Sequence, residues 1–202
     1  MKKLKIAVTG GIGSGKSKAL QILSEKGYPT FSCDEIYKSI INTKEYVMLV
    51  EKHFPTCVTS GKIDKTKLAQ VIFEDPQKRA TLNEIAHPLI LKSLFDQMLN
   101  TNSQITFAEV PLLFEEGLED RFDGVIVIKR EISERIKAIQ LRDNISKEAA
   151  EKRIFSQFDY YTKDAIQRFQ KCNAIVIENN DNILILEKQV DNALNSIMQR
   201  QM

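Results

Sequence analysis

Gly10-Gly11-Ile12-Gly13-Ser14-Gly15-Lys16-Ser17 is a glycine, four residues of any kind, then Gly-Lys-Ser, the pattern of a phosphate-binding loop. The apolar run Leu4 to Val8 precedes it, and Ala19, Leu20, Ile22 and Leu23 follow at helical spacing. Strand, glycine-rich turn and helix are the context in which such a loop works. Its backbone N–H groups must converge on phosphate oxygens, which requires left-handed backbone and no intervening side chains. The helix start adds unpaired N–H donors and the positive end of a dipole. Gly11, Gly13, Ser14, Gly15, Lys16, Ser17 and Lys18 are therefore the candidate residues for ATP, with Lys16 reaching the outer phosphates and Ser17 offering its hydroxyl to Mg2+.

Outward from the loop, the chain alternates short apolar runs with longer amphipathic ones. Gly27-Tyr28-Pro29 ends the first helix, and Thr30-Phe31-Ser32 reads as a second strand ending at Cys33-Asp34. Helical patterns fill 35–102, with capped starts at Asp64 and at Asp75-Pro76. Pro88 is expected to end or kink the helix that carries His87. Strands follow at Ile105 to Val110, Val125 to Ile128 and Ile175 to Ile177, the second apolar enough to be buried on both faces. Between them, Glu131 to Leu141 is a helix with Glu131 and Arg135 spaced as an i,i+4 ion pair. A charged helical stretch spans Lys147 to Lys171, and Asn182 to Met198 closes the chain.

Five strands separated by helices predict an α/β fold, a five-stranded parallel sheet with helices on both faces and the loop at the strands' carboxyl ends. The expected division is a core (1–34, 103–139, 166–202), a helical acceptor-binding insertion (35–102) and a lid (140–165).

Composition narrows the partners. In 202 residues, Lys plus Arg number 29 and Asp plus Glu 27, so the net charge of +2 gives no broad electrostatic footprint for nucleic acid or anionic membrane. The three cysteines are widely spaced and form no CxxC pair, as in reduced cytoplasmic proteins. No stretch approaches 18 apolar residues. The expectation is a cytoplasmic chain, monomer or small homo-oligomer, acting on small molecules. Asn-Lys-x-Asp and Asp-x-x-Gly, the guanine and switch signatures of signalling GTPases, do not occur. A small kinase is what remains, with a nucleotide-dependent switch as the alternative class.

The ordered set TGGIGSGKS (9–17), Cys33-Asp34, Gly61-Lys62-Ile63-Asp64, His87-Pro88-Leu89-Ile90, Pro111-Leu112-Leu113-Phe114-Glu115, Arg142-Asp143, Gln157 and Val176-Ile177-x-Asn179 resembles the dephospho-coenzyme A kinases. The resemblance runs from residue 4 to about 195. It implies the P-loop nucleoside-triphosphate hydrolase fold and ATP-dependent phosphorylation of the ribose 3′-hydroxyl of dephospho-coenzyme A. Another small nucleoside or nucleotide kinase is the second reading. It also implies that Asp34 takes or orients the hydroxyl proton, that Arg142 neutralises charge on the moving phosphoryl group, and that His87 and Gln157 contact the acceptor. Helix capping is the competing role for Asp34, and dipole compensation that for Arg142. Arg153 shares a helical face with Gln157. Glu109 and Glu115 stand at element ends, where a metal-linked role competes with a plain structural one. Phe155, Phe158, Tyr160 and Tyr161 read as packing.

The chain departs from the family pattern in five places. Lys18 replaces a threonine, Ser32-Cys33-Asp34 retains one carboxylate of an Asp-Ala-Asp, and Ala138 replaces an arginine for which Arg135 is the nearest substitute. The stretch after Gln157 is longer, and Asn173-Ala174 stands where an Ala-Asp is expected near adenine.

Overall fold

A computed structural model describes residues 3–200. The chain divides into two compact units. One runs up to Thr30 and resumes at Thr101, and the other is Phe31–Asn100.

The first unit opens with β1 (Leu4–Thr9), whose Ile6, Ala7 and Val8 are all buried, and passes through the glycine loop into α1 (Lys16–Glu25). The short strand β2 (Thr30–Ser32) leads into the second unit.

There, α2 (Cys33–Ile40) and α3 (Lys44–His53) precede a two-stranded antiparallel hairpin, β3 (Val58–Thr59) and β4 (Lys62–Ile63). The turn between them carries Ser60 and Gly61 at positive φ. The hairpin sits inside a region expected to be helical throughout. Two residues per strand are too few for a periodic pattern to reveal. Next come α4 (Lys65–Glu74) and α5 (Pro76–Leu99). Both start where the sequence places them: Asp64 accepts from the Lys67 N–H (3.0 Å), and Asp75 from those of Gln77 (2.9 Å) and Lys78 (3.2 Å). Pro88 does not end its helix, which continues to Leu99. An internal proline costs roughly 3 kcal/mol. Here the turns on both sides are held by packing, with Leu82 and Ala86 buried before it and Leu89 and Ile90 against the same cluster after it. That core also holds Tyr46, fully buried and edge-on to Tyr37 (centroids 5.9 Å apart).

Back in the first unit follow β5 (Ile105–Glu109), β6 (Gly124–Lys129), α6 (Ile132–Asp143), α7 (Lys147–Phe155), α8 (Lys163–Lys171), β7 (Ile175–Glu178) and α9 (Ile183–Gln199). The sheet order is β2-β5-β1-β6-β7, with β1 central and parallel to both β5 and β6, and β6 parallel to β7. Val125 to Ile128 are buried on both faces, as the apolar run predicts. One face packs on α1 and α9 through Leu20, Ile22, Leu23, Leu186, Val190 and Leu194. The predicted helix from Lys147 to Lys171 is instead two helices, separated by a non-helical segment over 156–162. That break has a job in the loop's surroundings.

Candidate active site

Lys16 is the first residue of α1, and Gly15 before it has φ +98°, which a side chain would strain. The Lys16 side chain folds back over the loop, and its ammonium donates to the carbonyls of Gly10 (2.9 Å) and Gly11 (3.3 Å). Ser17, one residue on, is exposed and donates its hydroxyl to Glu109 at the end of β5, 3.0 Å from Oε2 and 3.3 Å from Oε1. These are oxygen ligands of the hard kind that Mg2+ prefers. Among the described residues, no group of three or more His, Cys, Asp or Glu could hold a metal ion. The Ser14 hydroxyl is buried with no hydrogen-bond partner among the described residues. Lys18 faces out and donates to Gln21 (3.0 Å).

Three side chains from distant parts of the chain grip this loop. Arg135 of α6 is 5% exposed, and its Nε donates to the carbonyl of Ile12 at 2.9 Å. Gln157, in the break between α7 and α8, accepts the Ile12 N–H at 2.7 Å. Asn179, directly after β7, donates its amide to the Ser14 carbonyl at 2.8 Å. The approach is so close that a Cβ on Gly11 would lie 2.2 Å from an Arg135 guanidinium nitrogen, and one on Gly15 2.3 Å from the Asn179 amide. Glycine at these positions thus makes room for protein as well as for a ligand. The pair expected between Glu131 and Arg135 does not form, because Arg135 turns inward to Ile12. Burial lowers the pKa of Arg135, partly offset by the charges around it, Asp159 included.

The 156–162 break is itself fastened. Tyr160 is buried with its hydroxyl 3.2 Å from that of Thr9, and burial pushes its pKa up. Phe158 stacks on Phe114, its N–H donates to Glu115 (3.1 Å), and Tyr160 meets both rings edge-on. Arg168 lies over Phe114 and Phe158 and pairs with Glu119 at 2.6 Å. Phe158 and Tyr160 are packing residues, as read from the sequence. Tyr161 is partly exposed under the Lys129 ammonium, and Phe155 is 70% exposed. Without such a break, Gln157 and Tyr160 would be fixed to helix faces rather than free to reach the loop.

Arg142 lies in the last turn of α6 and makes a two-pronged contact with Asp143 (2.7 and 2.9 Å), while Arg153 of α7 bonds the same carboxylate. These contacts hold the Asp143 carboxyl below its usual range, with Arg142 the main cause.

In the second unit, Asp34 is exposed, and among the described residues its carboxylate accepts no hydrogen bond. It is not the cap of its helix: α2 begins at Cys33, two residues earlier than the capping alternative requires, with Ser32 at the N-cap. His87 lies half-buried in the middle of α5. Lys16, Ser17, Gln157 and Arg142 all belong to one unit, with Gln157 bonded to the loop and Arg142 to Asp143, while Asp34 and His87 belong to the other. Asn179 lies in the Val176-Ile177-x-Asn179 motif and opens a polar turn, and nothing in its local sequence signals a grip on the loop.

The family model described as dephospho-CoA kinase matches residues 4–185. A dephospho-CoA kinase of Fusobacterium nucleatum is 34% identical over 188 residues, covering 92% of this chain and 94% of its own. Among solved structures, a Thermus thermophilus protein superposes with a TM-score of 0.80 at 27% identity, over all of both chains. A dephospho-CoA kinase from Campylobacter jejuni gives 0.67 at 28% identity, over 98% of each. A shikimate kinase from Acinetobacter baumannii, at 13% identity and a TM-score of 0.57, shares the fold alone. By sequence and by fold, this chain is a kinase that belongs to the dephospho-CoA kinase family.

Proposed function

We propose that the protein transfers the terminal phosphoryl group of ATP to the ribose 3′-hydroxyl of dephospho-coenzyme A, giving coenzyme A and ADP. The observation that carries this reading is the held loop, with Lys16 and the Ser17–Glu109 pair at its mouth, in a chain of this family.

Phosphoryl transfer needs alignment and charge neutralisation more than covalent help. The loop's backbone N–H groups hold the phosphates, and Lys16 exchanges its two carbonyl partners for phosphate oxygens. A phosphate oxygen would also partner the Ser14 hydroxyl, relieving an unmet hydrogen bond that costs about 1–3 kcal/mol. Ser17 and Glu109 are the residues that would hold Mg2+, which would supply neutralisation of charge on the phosphates. Asp34 accepts the proton of the attacking hydroxyl, for which an exposed, unbonded carboxylate is suited. Arg142, released from Asp143, spreads the charge of the moving group. Lys18 supplements the charge near the phosphates. His87 contacts the acceptor within the 35–102 block, while the same role for Gln157 has to accommodate its bond to Ile12.

No helix among the described residues is long and apolar enough to cross a membrane, and Cys33, Cys57 and Cys172 form no disulfide with one another. Both features suit work in a reducing cytoplasm.

Incubation with MgATP and a panel of acceptors, read by product mass, tests the assignment. Dephospho-coenzyme A should gain one phosphate at the ribose 3′ position. Equal turnover of an unrelated nucleoside would move the assignment to the second kinase reading, and ATP binding without any product would favour the switch.

A further inference from the structure

The Ile12 residue of the loop is held at both ends, its N–H by Gln157 and its carbonyl by Arg135. The next carbonyl but one, of Ser14, is held by Asn179. A trans peptide is planar, so its N–H points opposite to its C=O. Fixing the Ile12 carbonyl therefore fixes the Gly13 N–H, aimed away from Arg135. Fixing the Ser14 carbonyl likewise aims the Gly15 N–H away from Asn179. Neither of these two N–H groups has an acceptor among the described residues. Nor do the glycines supply rigidity of their own, since glycine is the most permissive backbone. The rigidity has to come from outside the loop.

We infer that Arg135 and Asn179 are positioning residues that aim the Gly13 and Gly15 amides at the phosphates of the bound nucleotide, each by holding the carbonyl of the preceding residue. This rests on the loop being the nucleotide site, as proposed above. An anion site built this way is preorganised, so the nucleotide does not have to order the loop as it binds. Arg135 suits the task because it is buried, and α6, its own helix, is packed through Ile136 and Ile139 against Ala150 and Ile154, with Ile12 on the same cluster.

The test uses the full chain labelled with 15N-glycine and titrated with MgADP, so it requires no acceptor turnover. In the unmodified protein the Gly13 and Gly15 amide resonances should both move downfield at saturation. In Arg135→Met the Gly13 displacement should fall by at least half while that of Gly15 persists, and Asn179→Ala should show the reverse. Each variant should weaken MgADP about tenfold, the scale of one lost directed hydrogen bond. The KM for dephospho-coenzyme A should stay within about twofold, because the lesion lies in the donor site. Arg135→Lys retains a donor and should recover most of the affinity. Should Arg135→Met not fold, Arg135→Lys and Asn179→Ala carry the comparison. Unmodified displacements and affinity in the variants overturn the inference, and so does equal loss of both displacements in either one. If MgADP moves neither glycine of the unmodified protein, the nucleotide-site reading fails, and this inference fails with it.

Discussion

The two units hold their polar groups in opposite ways. In the first, three polar atoms of the loop backbone are engaged at long range. Arg135 reaches Ile12 across 123 positions of sequence, Gln157 across 145, and Asn179 reaches Ser14 across 165. In the second, the polar contacts that shape the elements are local, with Thr43, Asp64 and Asp75 each capping the helix that begins at the next residue. Asp34, the residue proposed for proton transfer, has an exposed carboxylate that accepts no hydrogen bond among the described residues. The difference teaches that holding a flexible loop and leaving a carboxylate free are separate requirements. Substitutions in the two units should therefore fail differently: loop residues through binding, Asp34 through chemistry alone, and caps through stability alone.

The largest effect expected is at Asp34. Asp34→Asn retains the shape and removes the proton acceptor, so kcat should fall by about 10² to 10⁴. The KM for ATP and the thermal midpoint should hardly move, since the carboxylate bonds nothing. Retained turnover with lost thermal stability would show that Asp34 serves the fold and that the base is another residue.

Lys16→Ala comes next, with turnover lower by at least on the order of a hundredfold. Unlike Asp34→Asn it should also weaken ATP binding, because a charge-assisted contact worth roughly 1.5–3 kcal/mol disappears. Calorimetric titration with MgATP beside steady-state rates separates the two signatures. Full activity in this variant would remove the basis of the donor site.

Substrate truncation sharpens the comparison from the side of the second unit. A block of this size exceeds what adenosine alone requires, so it should also grip the pantetheine and pyrophosphate portions. Adenosine, which carries the same reacting hydroxyl without them, should show kcat/KM lower by on the order of 10² or more, with part of the loss in kcat. Comparable kcat/KM for the two acceptors would favour a general nucleoside kinase.

The smallest effect belongs to a local cap. Asp75→Ala removes the acceptor for two helix-start N–H groups and should cost about 1 kcal/mol. Thermal unfolding should move down by roughly 2–4 °C, with kcat and both KM values unchanged. A loss of activity at full stability would mean that α5 is tied to chemistry through its first turn.

The sequence by itself determined most of what depends on neighbours a few positions apart, the short β3–β4 hairpin excepted. The glycine loop between strand and helix, the apolar run of β6, and the caps at Asp64 and Asp75 all express short-range rules of backbone conformation and periodicity. The order of the strand and helix runs was enough to give the α/β class, because parallel crossovers leave few arrangements. What only the tertiary structure decided was which partner each polar side chain takes. Helical spacing offered Arg135 a surface pair with Glu131, but burial of α6 against the loop gave it the Ile12 carbonyl instead. Gln157 and Tyr160 reach the loop region because the helix between Lys147 and Lys171 breaks, and the break is held by contacts to Phe114, Glu115 and Thr9, at least 43 positions away. Pro88 stays inside α5 because packing on both sides outweighs the local penalty that sequence rules assign to it. Local propensities are worth about a kilocalorie per mole or less for most residues, whereas a buried donor left without an acceptor costs several times that. Where the two conflict in this chain, the long-range partner wins.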